Sequence, residues 1–186
     1  LVDVVLDEAG DSASTLPLIS HALVETWARR EANALTLDAF RSAGGVAGAI
    51  AQSADALYEQ SLDSAQQDVA RRLFLRLVTP GEGTTDTRRP MPLVELDRHV
   101  DPEAVRAVVD RFVAARLLSV SETRVEIAHE ALIGGWPRLA DWIETERDNL
   151  KTQRRIGQAA HDWDERDRDP DLLWRGAPLA STEAWV

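Results

Sequence analysis

Residues 101–128 read DPEAVRAVVDRFVAARLLSVSETRVEIA. Asp101-Pro102-Glu103 starts a helix: a capping carboxylate, a proline in the first turn where no N–H is needed, and an acid at the positive end of the helix dipole. Val105, Val108, Val109, Phe112, Val113 and Leu117 share one face at helical spacing. Residues 117–120 and 125–128 read as two strands, with Ser121-Glu122-Thr123 joining them as a hairpin loop. Upstream, Asp63 with Gln66, or Ser64 with Gln67, makes a capping box. Val69, Ala70, Leu73, Phe74, Leu77 and Val78 form the apolar stripe of the helix it opens, and Thr79-Pro80-Gly81 stops it. Residues 83–86 read as loop, 87–91 as a short strand that Pro90 confines to a sheet edge, and 93–96 as one or two helical turns.

The resulting order of helix, strand, helix, helix, strand, strand is that of a winged helix with a small sheet and a wing hairpin. Both flanks are helical, so the fold class is mainly α. Residues 1–9 fit the inner face of a short helix, with a strand as the alternative for so brief a run. After a breaker stretch at 10–14, a helix over 16–30 is capped by Ser14 or Thr15 and carries Pro17 in its first turn. Thr36 caps a short helix over 36–41, Gly44-Gly45 breaks the chain, and a longer helix over 46–61 turns Ile50, Ala54, Leu57 and Tyr58 inward. Past residue 130, Gly134-Gly135 is a local break. Trp136-Pro137 restarts a helix expected to reach about residue 166, and short apolar helices near 172–174 and 178–185 close the chain.

Asp and Glu number 32 against 21 Lys and Arg, for a net charge of −11. That balance argues against a general nucleic-acid or anionic-membrane binder, because phosphate neutralisation needs a basic footprint. Cysteine is absent, which excludes disulfides, thiolate chemistry and Cys-ligated metals. No apolar run approaches the length of a membrane span and no secretory leader opens the chain, so a cytoplasmic protein is expected. The chain opens on Leu1 inside an apolar-periodic segment and reads as an excerpt of a longer polypeptide. It holds no G-x-x-x-x-G-K-[ST], and its one lysine, Lys151, is far from any glycine-rich loop. His129-Glu130 is half of H-E-x-x-H, with Ile133 where the second zinc ligand would stand. His21, His99, His129 and His161 have no metal-ligand spacing, and no serine sits in a G-x-S-x-G elbow. An enzyme in its own right is not expected, nor a bound metal.

Three features carry candidate chemistry. Pro17, opening a helix after a breaker, offers a flat apolar ring suited to a planar base, or simply a helix-start proline. His129 stands where the second hairpin strand meets the next helix, placed to donate a charge-assisted hydrogen bond to a phosphate or to be satisfied locally. Arg88-Arg89 could clamp a phosphate or line a solvated strand edge; adjacent residues face opposite ways, so one of them reaches any single ligand.

Four strings in order, LPLISHALVETW at 16–27, GEGTTDTRR at 81–89, VEIAHEAL at 125–132 and GWPRLADW at 135–142, resemble the region after the ATPase core in the bacterial novel STAND NTPases. The resemblance covers nearly the whole chain and implies a layout: a helical lid at 1–62, a winged helix at 63–135 and a helical arm toward sensor repeats at 136–186. It implies that Pro17 packs on adenine, with Thr15 where glycine is usual. It also implies that His129 touches the ADP β-phosphate, with Ala128 for the usual methionine and Glu130 for the usual aspartate. By the same resemblance the Walker motifs lie upstream in a P-loop ATPase domain, and such proteins often carry a C-terminal β-propeller. ADP or ATP is then the parent protein's nucleotide, bound only weakly by these residues alone, and the implied function is regulatory: clamping ADP and holding a signalling switch off.

Two other readings compete. A DNA-binding winged helix would read bases with the helix at about 102–117, but Glu103 and Asp110 nearly balance Arg106, Arg111 and Arg116 there. A protein-interaction scaffold would use the charged helix at 136–166 with Trp142 or Trp163 as anchors, although tryptophan at helical spacing also suits a core.

Overall fold

Apolar stripes mark α1 (Val2–Ala9), α2 (Leu16–Ala28), α3 (Leu37–Ser42) and α4 (Gly45–Gln60). They belong to a computed structural model that describes residues 1–10, 15–81, 83–96 and 101–183. Ser14, Glu82, His99 and Trp185, which figure in the sequence reading, lie outside the described residues. Thr15 precedes α2 without making a side-chain cap; the first turn carries Pro17, whose ring fixes a helical φ. Thr36 does cap α3, its Oγ1 accepting from Ala39 N at 3.1 Å. Gly44, at φ 97°, turns α3 into α4; a Cβ there would lie 2.7 Å from Gly48 C, so glycine is required. The start of α4 is met by a carboxylate from α1, Glu8 Oε2 accepting from Val46 N at 2.8 Å. Val5, Ala22, Phe40, Val46 and Ala49 form a buried cluster among these helices.

Next come α5 (Ser64–Arg76), β1 (Val78–Thr79), β2 (Thr87–Arg88), β3 (Met91–Pro92), α6 (Leu93–Leu96), α7 (Pro102–Ala114), β4 (Leu118–Ser121) and β5 (Arg124–Ile127). Of the two capping boxes the sequence allows, Asp63 with Gln66 forms: Asp63 Oδ1 accepts from Gln66 N at 2.9 Å, and Gln66 Oε1 accepts from Asp63 N at 3.3 Å. α5 ends earlier than Thr79, because Val78 and Thr79 leave it to pair antiparallel with Arg88 and Thr87. The single strand expected over 87–91 is two strands in two sheets. Pro90 has no N–H to carry a ladder, and the chain changes partner there: β2 pairs with β1, β3 with β5. The second sheet has the order β3-β5-β4. Its hairpin pairs Ser121 with Arg124, so the connection is Glu122-Thr123, with Glu122 in the left-handed region at φ 50°. Asp101 caps α7 as expected, accepting from Glu103 N at 3.2 Å.

Trp136 lies between α8 (Ala131–Gly135) and α9 (Pro137–Glu165) and is fully buried. Its ring centroid is 5.2 Å from that of Phe74 and 5.4 Å from that of Trp142, and Phe74 in turn meets Phe112 at 4.8 Å. Such edge-on pairs add about 0.5–1.5 kcal/mol each beyond their buried area. One oxygen, Asp55 Oδ1 on α4, accepts from Trp136 Nε1 at 2.9 Å and from Arg138 Nε at 2.7 Å. Arg138 also reaches Glu59 and lies 4.9 Å from the Tyr58 ring centroid.

The chain divides into two compact units, Leu1–Glu144 and Thr145–Val186. The second contains the remainder of α9, a 3-10 turn (Pro170–Leu172) and α10 (Ala177–Glu183), with the Arg168 guanidinium 5.5 Å from the Trp163 ring and that of Arg155 5.8 Å from Trp174. Among the described residues the protein is mainly helical with two small antiparallel sheets. Among the described residues no helix is long and apolar enough to cross a membrane.

Candidate functional site

Pro17 and His21 stand one turn apart on a common face of α2. Pro17 is half-buried. His21 is 5% exposed, and its Nε2 is buried with no hydrogen-bond partner. A buried polar atom left in that condition costs about 1–3 kcal/mol.

His129 follows β5. Ala128 N donates to Leu117 O at 3.0 Å, which carries the β4–β5 ladder one pair further. Arg116, at φ 59°, lies in the turn between α7 and β4. Arg88 arrives from β2 and is tied to the same corner: its backbone N–H donates to Glu130 Oε1 at 3.2 Å. Its Nη1 lies 3.5 Å from the carbonyl oxygens of Ile127 and Ala128 and 3.7 Å from Glu126 Oε1. Glu130, standing after the histidine, is thus the acceptor that holds β2 against the end of β5. Arg89 is exposed and is anchored through its backbone N–H to Leu77 O at 2.7 Å.

Electrostatics show which of these groups are neighbours. Burial pushes the His129 imidazole below its ordinary value of 6.5, and the Arg88 guanidinium pushes it further. Burial does the same to His21; Glu25 opposes it, while His129 and Arg116 reinforce it. Arg88 and His129 share the corner at the end of β5. That corner suits an anionic group, and Pro17 and His21 share one face of α2. Among the described residues no three His, Asp or Glu side chains gather as metal ligands.

His21 and Arg116 were not among the candidates drawn from sequence. The signal for His21 was present, since it follows Pro17 by four residues within LPLISHAL and so shares its face.

Both histidines have native values below the unfolded one, so the unfolded chain binds more protons as pH falls past 6.5. Their contribution to stability is present above about pH 6.5 and is lost on acidification toward their lowered native values. Thermal melts from pH 7.5 to 5.5 are expected to show a falling midpoint, and the His21→Leu variant a shallower fall. Equal slopes for the two proteins would remove His21 as a cause.

The family model for Novel STAND NTPase 1 matches residues 1–171. No curated protein and no solved structure matches the chain. The matched residues take in every helix and strand from α1 through α9, the candidate site included, and the chain belongs to the novel STAND NTPase family.

Proposed function

We propose that this chain is the lid and winged-helix module of a cytoplasmic STAND-type signalling ATPase, and that it clamps ADP and holds the switch off. In this reading residues 1–62 are the lid, 63–135 the winged helix and 136–186 the arm toward a β-propeller or other sensor repeats. Its partner is a P-loop ATPase domain upstream in the same polypeptide, which grips the phosphates and performs any hydrolysis.

One observation carries the reading: Arg88 and His129 share the corner where β5 ends, inside the span that the family model matches. The residues fit a nucleoside diphosphate. Pro17 offers its ring to the base. Arg88 and His129 offer charge to the phosphates. ADP supplies a negative diphosphate that draws a proton onto His129, which then donates a charge-assisted hydrogen bond. The module biases the switch only insofar as it holds one nucleotide state better than the other.

A DNA-reading role loses one of the cations of α7. Arg111, on that helix, donates to Ser61 O and, at 2.9 Å, to Gln66 Oε1, tying α7 to the start of α5.

Hydrogen exchange in the intact polypeptide tests the clamp. Added ADP is expected to slow exchange at the start of α2 and at residues 128–131. ADP bound with no protection at either segment would overturn the reading.

A further inference from the structure

Arg88 is tied to the chain on both sides of His129. Its Nη1 lies 3.5 Å from Ile127 O and 3.5 Å from Ala128 O, the two carbonyls that precede the histidine. Its backbone N–H donates at 3.2 Å to Glu130 Oε1, on the side chain that follows. One residue, brought from far upstream, thus brackets the histidine. The place calls for such a bracket. Ala128 N still bonds across the hairpin to Leu117 O at 3.0 Å, whereas His129 O accepts from Leu132 N at 2.9 Å, so strand bonding hands over to helical bonding at this residue. Backbone that leaves one pattern for another draws on side chains for the bonds the pattern no longer supplies. Core burial does not explain why β2 is fastened here beyond its two-pair ladder with β1, because both of its residues, Thr87 and Arg88, are exposed.

Granted the ADP reading, on which this rests, we propose that Arg88 is a positioning residue: by holding the carbonyls before His129 and the carboxylate after it, it aims the imidazole at the phosphate, over and above any charge it offers there. A guanidinium suits the task because its planar fork meets two carbonyl oxygens in a fixed geometry, whereas a lysine ammonium would keep the charge on a flexible stem. The Glu130 arm runs through the backbone of Arg88, so it is broken from the Glu130 side.

The test is a double-mutant cycle on the ADP affinity of the intact polypeptide, pairing Arg88→Lys with His129→Ala. Arg88→Lys is expected to weaken ADP about 2- to 12-fold, the range of one neutral hydrogen bond, and to flatten the gain in affinity on acidification that comes through the imidazole. In the His129→Ala background the same lysine is expected to change affinity by a factor of about one, because no imidazole is left to aim. Glu130→Ala should follow the same pattern, and Glu130→Gln, which loses the charge but keeps an accepting oxygen, should recover most of the loss. Arg88 and Glu130 are exposed, so these variants are expected to fold; should Arg88→Lys not fold, the Glu130 pair carries the same cycle. Native affinity in folded Arg88→Lys overturns the bracket and leaves Arg88 a point charge. His129→Ala alone separates the two failures. If it leaves ADP affinity intact, the clamp is wrong and the bracket falls with it. If it weakens ADP and the two losses add, the clamp stands and only the bracket falls.

Discussion

An intact polypeptide carrying His129→Ala is expected to release ADP about 10- to 150-fold faster than the native protein. The figure is one charge-assisted hydrogen bond, about 1.5–3 kcal/mol, converted at about 1.4 kcal/mol per tenfold. The free protein keeps His129 disposed to be neutral through burial and Arg88, so ADP binding must be coupled to uptake of a proton from solvent by His129. ADP affinity should therefore rise as pH falls toward the lowered value of the free imidazole, and the alanine variant should lose that dependence. Stopped-flow chase of a fluorescent ADP analogue at two pH values reads both effects. An unchanged off-rate, or a pH dependence that survives the substitution, would take His129 out of the mechanism.

Trp136→Ala is the substitution expected to harm the fold most. The side chain is fully buried and packs on Phe74 and Trp142, and its Nε1 is bonded to Asp55. Truncating such a residue costs about 3–5 kcal/mol, from lost transfer energy and the cavity left behind. For a chain of this size that lowers the melting midpoint by about 6–20 °C. Trp27→Ala is the control: Trp27 is 49% exposed, with Arg30 stacked over it at 4.3 Å, so its loss should stay within about 0.5 kcal/mol. Similar losses for the two variants would show that the ring cluster is not the centre of the first unit.

Where the sequence could be read, the signal was local. The Asp63–Gln66 box, the Asp101 cap, the Thr36 cap and the stripe of α7 each lie within a few residues, and each is found in the fold. Where reading fell short, the deciding partner was distant. Nothing within 87–91 says that Arg88 pairs with Val78 while Met91 pairs with Val125; Pro90 marks a break, but only the third dimension supplies two partners. α5 stops at Arg76 for the same reason, since Val78 is claimed by β2. Pro17 and His129 stood out because each follows a strong local signal, a helix start and a strand end. His21 looked like any core histidine on an apolar helix. Its burial with Nε2 finding no partner is not written near residue 21.

The shared oxygen of Asp55 carries a mechanical corollary. By holding the indole of Trp136 and the guanidinium of Arg138 at once, it buckles α4 to the first turn of α9. A hinge that parted those two helices would strand a carboxylate, an indole N–H and a guanidinium together. If the jaw opens to let nucleotide go, Leu1–Glu144 should travel as one piece, and the joint that yields should be the one between that piece and whatever grips the phosphates.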